Sequence, residues 1–347
     1  MSVEHSEGNR STAALRRESG GSKALVVQEA LLGFGRYTIT VCLEDDTRLP
    51  GYLGSTLRGA FGAALKRSMC GNVSRDCSTC GLSTRCLYTK TFEPKVFPDD
   101  VNLRGMEPPA AYVVEPPAGR LSHLAQGAPL VFHLLLFGDA NTCLPFFLNA
   151  FELMGRRGIG RRSQGSGGGR FVLQRVQQDG AGDMFDPQTG RIRCAPKTHY
   201  LRLASTPDDG PRMLEVKIET PLRLKFQNQL QDQLPFHVLV RSALRRVSSV
   251  FAVYGTGEPS LPYANLVVEA QSVSTRECAL RWLDWERYSS RQQSRMKLGG
   301  IVGTVRYGPV SAAYVPVLEM ASLLHLGKQS TFGLGKLALC WRSQEPE

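Results

Sequence analysis

An order of elements that occurs twice constrains this chain more than any other feature. Residues 299–335 read GGIVGTVRYGPVSAAYVPVLEMASLLHLGKQSTFGLG. That is an apolar β-branched run (Ile301–Val305), a helical stretch (Tyr314–Leu324) and a basic, glycine-punctuated loop (Gly327–Gly335), before an apolar strand over Lys336–Trp341. Much earlier, Cys143–Met154 predicts an apolar helix, GRRGIGRRSQGSGGG follows it, and Arg170–Val176 reads as a strand. Helix, basic glycine loop and strand therefore recur.

The wider order recurs as well. YTITVCL from Tyr37 alternates as a strand, Pro50–Gly51 marks a turn, and the helix Gly54–Met69 puts Leu57, Phe61, Ala64, Leu65 and Met69 on one face. Extended segments are predicted at Tyr88–Glu93 and Ala111–Val114, and a buried strand at Pro129–Phe137, where His133 reads as a packed or edge residue. The second half offers a strand at Met213–Glu219, a turn at Pro221 and a helix over Phe236–Tyr254. Val240, Leu244, Val247, Phe251 and Tyr254 form that helix's apolar stripe, with Arg241, Arg245 and Ser248 outward. Strands are then predicted at Tyr263–Val273 and Ile301–Val305. A βαββαβ order makes an antiparallel four-stranded sheet with two helices on one face. The expected architecture is α+β: tandem ferredoxin-like units over residues 35–180 and 212–342, a tail over 1–22, a linker over 181–211, and a cysteine-rich insertion in the first unit.

Charge narrows the partner. Of 347 residues, 42 are Lys or Arg and 31 Asp or Glu, a net charge of +11. Arg156, Arg157, Arg161, Arg162, Arg170 and Arg175 fall in an acid-free stretch, and Arg287, Arg291, Arg295, Lys297 and Arg306 form a second cluster. Clustered cations favour an extended polyanion. In the second glycine loop, close-approaching backbone with Lys328, Lys336, Ser330 and Thr331 suits phosphate. The N-terminus lacks a secretory apolar core, and Pro129–Phe137 is too short to span a bilayer, so a cytoplasmic protein without a membrane partner is expected.

Nine cysteines in a reducing compartment leave free thiols or a metal site. Cys77 and Cys80 make a C-x-x-C pair flanked by Cys70 and Cys86, and four thiolates can close around a structural Zn²⁺ with no open position for catalysis. Four unligated thiols are the alternative; a redox pair lacks its βαβ context.

Two ferredoxin-like halves, each with a glycine loop before its last strand, resemble the RAMP superfamily of CRISPR proteins. The second half resembles the CRISPR-associated endoribonuclease that processes precursor CRISPR RNA. The resemblance is carried by Thr220–Lys225, Arg245-Arg246, Arg287–Gln292, Leu298–Gly303, His325–Lys328 and Thr331–Gly335. In the first half it rests on Leu57–Gly62, the cysteine cluster ending in Tyr88, and Gly158-Ile159-Gly160.

It implies an enzyme that binds CRISPR repeat RNA in basic grooves and cuts once without a metal, the 2′-hydroxyl attacking the adjacent phosphate to give mature guide RNA. Such chemistry needs a base, an acid and cations for the phosphorane. Members of the family often carry a histidine near the first helix, and Gly54–Met69 has none. His325, beside Lys328, becomes the first catalytic candidate, His237 the second, with His199 and His123 behind them; His5 in the tail has no assigned role. The RNA-binding candidates are Arg156, Arg157, Arg161, Arg162, Arg170, Arg245, Arg287, Tyr288, Arg291, Gln292, Gly327, Ser330, Thr331, Gly333 and Gly335; for Arg287, Tyr288, Arg291 and Gln292 the alternative is a solvated helix or loop with Trp282 and Trp285 packed into the core. Two rivals stand beside this reading. One is a non-catalytic RNA-binding subunit that holds guide RNA in an effector complex with other CRISPR subunits. The other is a zinc-dependent nucleic-acid binder, for which the cysteine module offers only Arg75 and Arg85.

Overall fold

The computed structural model describes residues 29–73, 76–94, 108–119, 121–203, 210–289 and 294–343. The first unit comprises β1 (Leu32–Leu43), β2 (Thr47–Arg48), α1 (Gly54–Met69), α2 (Leu87–Phe92), β3 (Tyr112–Glu115), β4 (His123–Leu124), β5 (Pro129–Phe137), α3 (Leu144–Arg157), β6 (Arg161–Arg162) and β7 (Phe171–Gln178). Its main sheet is antiparallel and runs β3-β5-β1-β7. Alternation built β1: Tyr37, Ile39, Val41 and Leu43 are buried, while Thr38, Thr40 and Cys42 between them are half-exposed. α1 and α3 cover the buried face, and Phe61 stacks on Phe151 at 4.6 Å between ring centroids while meeting Phe147 and Tyr112 edge-on.

Four further strands follow: β8 (Gly182–Asp183), β9 (Phe185–Asp186), β10 (Arg191–Ile192) and β11 (His199–Leu201). Much of the stretch expected as a linker therefore belongs to the first unit. β8 pairs with β7, β11 pairs with β1, and Met184 and Phe185 are buried in the first core. Two apolar side chains among polar neighbours are too faint a pattern to reveal this.

The second unit comprises β12 (Arg212–Leu222), β13 (Lys225–Phe226), β14 (Gln229–Leu230), α4 (Phe236–Tyr254), α5 (Tyr263–Glu269), β15 (Thr275–Ser289), β16 (Ser294–Val310), α6 (Val315–Leu324) and β17 (Leu337–Ser343). Its sheet order, β15-β16-β12-β17, places the strands as in the first sheet. Both architectures are mixed α and β with antiparallel sheets.

Several sequence expectations need correction. Tyr88–Glu93 is not extended: residues 87–92 form α2, because Tyr88 and Phe92 stack one helical turn apart at 5.5 Å and Phe92 seats against Gly62 of α1. Tyr263–Val273 is not a strand. It is α5 with a 3₁₀ turn behind it, since Leu266 and Ala270, four residues apart, are the positions buried. The β-branched pair Val267-Val268 imitated a strand, and the edge strand is β15 instead. Pro221 is no turn, because β12 continues through Leu222; the run at Ile301–Val305 is the middle of the much longer β16.

In each unit three connections open at the same end. In the first they contain β2, β4 and β6, which pair into a small sheet of order β4-β2-β6. In the second they are the β13–β14 hairpin, the β15–β16 tip and the loop from α6 to β17. Phe61 anchors the first unit beneath its loop cluster. Phe61→Ala is expected to cost about 3–5 kcal/mol, read as a lower urea midpoint in chemical unfolding.

Candidate nucleic-acid interface

The loop from α6 to β17 lies against the first unit. A side chain on Gly333, whose φ is 76°, would place its Cβ 2.7 Å from the Val114 carbonyl oxygen and 3.1 Å from the Glu115 Cα. One on Gly54, opening α1, would strike the Phe332 carbonyl, and one on Gly335 the Leu326 carbonyl. A hydrogen bond fixes the contact, the Tyr52 hydroxyl donating to the Phe332 carbonyl (2.7 Å), and within the second unit the Thr220 hydroxyl donates to the Gly333 carbonyl (2.7 Å) and holds the loop's shape. The expected phosphate cradle is therefore corrected. Gly333, Gly335 and Ser330 are buried and Thr331 half-buried, and what approaches the glycines so closely is protein backbone. Gly327 and Lys328 alone of the proposed loop contacts are fully exposed.

His325 is corrected for a related reason. It ends α6 with φ 59°, and its ring is sealed from solvent. Nε2 is 2.8 Å from Oε1 of Glu115 and Nδ1 is 3.1 Å from the Leu334 carbonyl oxygen, so both ring nitrogens are occupied by protein partners. A ring so placed cannot reach an RNA phosphate. Glu115, on β3, is itself buried and also accepts from Arg36 of β1 (3.0 Å) and Lys336 (3.4 Å). Burial alone would raise its carboxyl; the hydrogen bond and charge of His325, with Lys336 and Arg36, overcome that and hold it at about 2. Arg246 makes a second bridge. Its guanidinium donates twice to the Leu324 carbonyl at the end of α6 (3.1 and 2.9 Å) and lies 6.0 Å from the Phe137 ring centroid. Burial pushes Arg246 down to about 10.

The other cations divide into committed and available ones. Arg162 and Arg170 pair with Asp45 at 3.1 and 3.2 Å, which neutralises part of the first basic loop. Arg156, Arg157 and Arg161 are exposed, and among the described residues none has an ion pair. Arg245 is exposed on α4. Arg287 and Tyr288 lie on the backbone of β15, and Arg291 and Gln292 fall outside the described residues. His237 is half-buried beside Phe226 (5.7 Å between rings), His199 is exposed on β11, and His123 is exposed on β4. The tryptophans are not core residues. Trp282 is exposed, and Trp285 leans on Tyr52 at 5.4 Å, joining the long β15–β16 hairpin to the first unit.

Sequence reasoning missed Glu115 and Tyr52, and it met Arg223 only within the Thr220–Lys225 run and Trp285 only as a core residue. Three buried polar atoms along this seam, Trp285 Nε1, Arg223 Nε and Gln329 Oε1, have no hydrogen-bond partner. The four cysteines of the insertion are half-buried thiols, and among the described residues no three potential ligands stand in metal-binding geometry. No described helix is long and apolar enough to cross a membrane.

Residues 216–337 match the family model of the CRISPR-associated endoribonuclease Cas6, and residues 32–197 match a family model described as an N-terminal domain. An uncharacterized protein of Archaeoglobus fulgidus is 22% identical over 294 residues, 83% of this chain and 91% of that protein. Among solved structures, a partial Cas6-RT-Cas1–Cas2 complex matches with TM-score 0.53 and 12% identity. That alignment covers 91% of this chain and 47% of the other, so the chain spans about half the length of that relative. A Cas6 product complex matches with TM-score 0.52 and 15% identity over 89% of this chain and 99% of the other; Thermus thermophilus Cas6 matches with TM-score 0.50 and 13% identity over the same shares. At these identities the likeness is one of fold.

The Glu115 cluster makes a prediction about acid. Its carboxyl lies below the ordinary 4.5, so its stabilising contribution is complete above that pH and is lost as pH falls toward 2. Glu115→Gln is expected to cost about 3 kcal/mol at neutral pH by leaving cations unpaired. Thermal melts of both proteins from pH 5 to 2 should show the difference narrowing; a constant difference would refute the linkage.

Proposed function

We propose that this chain, a CRISPR-associated protein of the RAMP type whose second unit carries a Cas6 domain, is an endoribonuclease that cleaves precursor CRISPR RNA within the repeat and releases mature guide RNA. The observation that carries this is the Cas6 family match over residues 216–337. The two sheets of like strand order, each with two helices that pack on it, support a reading as tandem ferredoxin-like units with the cysteine segment inserted in the first. The loop clusters at like ends of the units meet through Tyr52, Trp285 and Phe332, which makes the seam between them the natural path for RNA.

The proposed reaction is metal-independent transesterification. The 2′-oxygen attacks the neighbouring phosphorus, the P–O5′ bond breaks, and a 2′,3′-cyclic phosphate and a 5′-hydroxyl result. Lys328, exposed at the seam, offsets charge on the phosphorane, and His237 is the second unit's group for proton transfer. Arg156, Arg157 and Arg161, with Arg245 and the hairpin residues Arg287, Tyr288, Arg291 and Gln292, would grip the phosphates and stack on bases. The partners are repeat RNA and, by the composition of one structural relative, other CRISPR proteins.

Repeat RNA from the cognate array should be cut in excess EDTA, and the same RNA with 2′-deoxy at the scissile nucleotide should stay intact. Tight binding without product would sink the enzyme reading in favour of a subunit that holds guide RNA. Lys328→Ala is expected to slow cutting at least about tenfold, measured under single turnover.

A structural Zn²⁺ on Cys70, Cys77, Cys80 and Cys86 belongs to the same proposal. From residue 71 to 86 no described side chain is fully buried, and apart from Ser83 only the cysteines are even half-buried. A segment without an apolar core needs another source of order. Cys70 caps the end of α1 and Cys86 the start of α2, so one ion would staple these helices together. Zinc sites commonly close only when the ion binds. Native mass spectrometry should find one zinc per chain, lost in the variant carrying Cys77→Ser and Cys80→Ser; a metal-free wild type after exposure to zinc under reducing conditions would refute it.

A further inference from the structure

The small sheet of the first unit joins Arg48 to two candidates from separate connections, His123 and Arg161. In the small sheet of order β4-β2-β6, Arg48 pairs directly with His123 on one side and with Arg161 on the other. Directly paired residues project from the same face, with Cβ atoms about 4.5–5.5 Å apart. His123, Arg48 and Arg161 thus form a continuous row, and all three are exposed. The neighbouring row, Leu124, Thr47 and Arg162, belongs to the opposite face, where Thr47 is fully buried. The first row therefore faces outward.

Its charge is unbalanced. The carboxylates close by are committed elsewhere: Asp45 pairs with Arg162 and Arg170, and Asp46 accepts from the Gln126 amide. Among the described residues neither Arg48 nor Arg161 has an ion pair, and His123 has no hydrogen-bond partner. Two guanidinium groups directly opposite each other repel, at a cost in stability that an anion bridging them would relieve. The platform beneath is fixed: the Leu49 amide donates to the Ser122 carbonyl (2.9 Å), the Ser163 amide to the Asp46 carbonyl (2.8 Å), and Gly160, at φ 60°, packs on the Arg48 carbonyl. Each strand of the row comes from one of the three connections at the loop end of the first unit, the end that carries Tyr52 to the seam. A rigid, outward row of two arginines and a histidine matches a phosphodiester that must be gripped and given or relieved of a proton.

We propose that Arg48 and Arg161 bind a phosphodiester of the RNA and that His123 beside them is a catalytic residue, handing a proton to the departing O5′. The O2′–P bond forms as the P–O5′ bond breaks, the proton of the 2′-hydroxyl passes to His237, and His123 regains its own from solvent. This rests on the endoribonuclease reading for its chemistry, whereas the phosphate contact stands apart from it.

The test uses the full chain and cognate repeat RNA, with binding followed on the 2′-deoxy substrate and cutting on the all-ribose one. Arg48→Ala and Arg161→Ala should each weaken binding and lower the slope of log affinity against log salt by about 1. His123→Ala should slow cutting at least about 100-fold while its affinity stays within about threefold of wild type. Circular dichroism and the melting temperature identify any variant that misfolds, in which case Arg48→Gln, Arg161→Gln and His123→Gln replace it. Unchanged affinity and salt slope in both arginine variants would overturn the phosphate row. Cutting at the wild-type rate by His123→Ala, with loss in His237→Ala, would overturn the catalytic assignment. If wild type binds and never cuts, the catalytic role of His123 falls with the enzyme reading, and the salt slopes still decide the row.

Discussion

Glu115 is the point on which the two units are joined. Its carboxylate comes from the first unit, and it is met there by Arg36 of the central strand; from the second unit come His325 and Lys336, which flank the glycine loop. A buried carboxylate with one cation gains little over an apolar pair, because desolvation cancels attraction. Here three donors share one acceptor group, and two belong to the other unit, so the arrangement specifies how the units dock as much as how tightly. The position of the glycine loop depends on it, and with it every group along the seam.

The glycines serve the same docking. Gly54 and Gly333 each sit where a Cβ would meet the other unit's backbone, and the Tyr52 hydroxyl closes the gap with a hydrogen bond to the Phe332 carbonyl; within the second unit, Gly335 packs on the Leu326 carbonyl and the Thr220 hydroxyl holds the Gly333 carbonyl, which shapes the docking loop. Removing side chains lets two backbones touch, which is the same physical property that lets a backbone touch phosphate. The exposed cations are displaced from these glycines, to Lys328, to Arg156 and Arg157, and to the row on the small three-stranded sheet. Of what reads as one motif, the glycines are spent on packing while Lys328 stays exposed.

The cysteine segment and the docking seam occupy different places in the first unit. The cysteine segment hangs from the far ends of α1 and α2, while the aromatic cluster of Phe61, Phe92 and Tyr112 lies between it and the seam. Arg58 links the two regions, with its guanidinium near both Phe92 and Phe332. Among the described residues, α1 and α2 are the elements that connect the insertion to the seam.

The sequence by itself determined the recurring helix, glycine loop and strand, the spans of α1 and α4, the core stripes Leu57–Phe61–Leu65 and Val240–Leu244–Val247, and the excess of clustered arginine. These are local periodicities and charge counts, which survive without knowledge of neighbours. Tertiary structure alone decided the helical state of residues 87–92 and 263–269, where burial at four-residue spacing outweighed β-branched composition. It also decided the fate of His325. Nothing in His-Leu-Gly-Lys distinguishes a ring facing RNA from one sealed against a carboxylate 210 residues away, because a long-range partner has no local signature. The same limit hid the pairing of Arg48 with His123 and Arg161, three residues on three separate connections that only the closure of the sheet brings into one row.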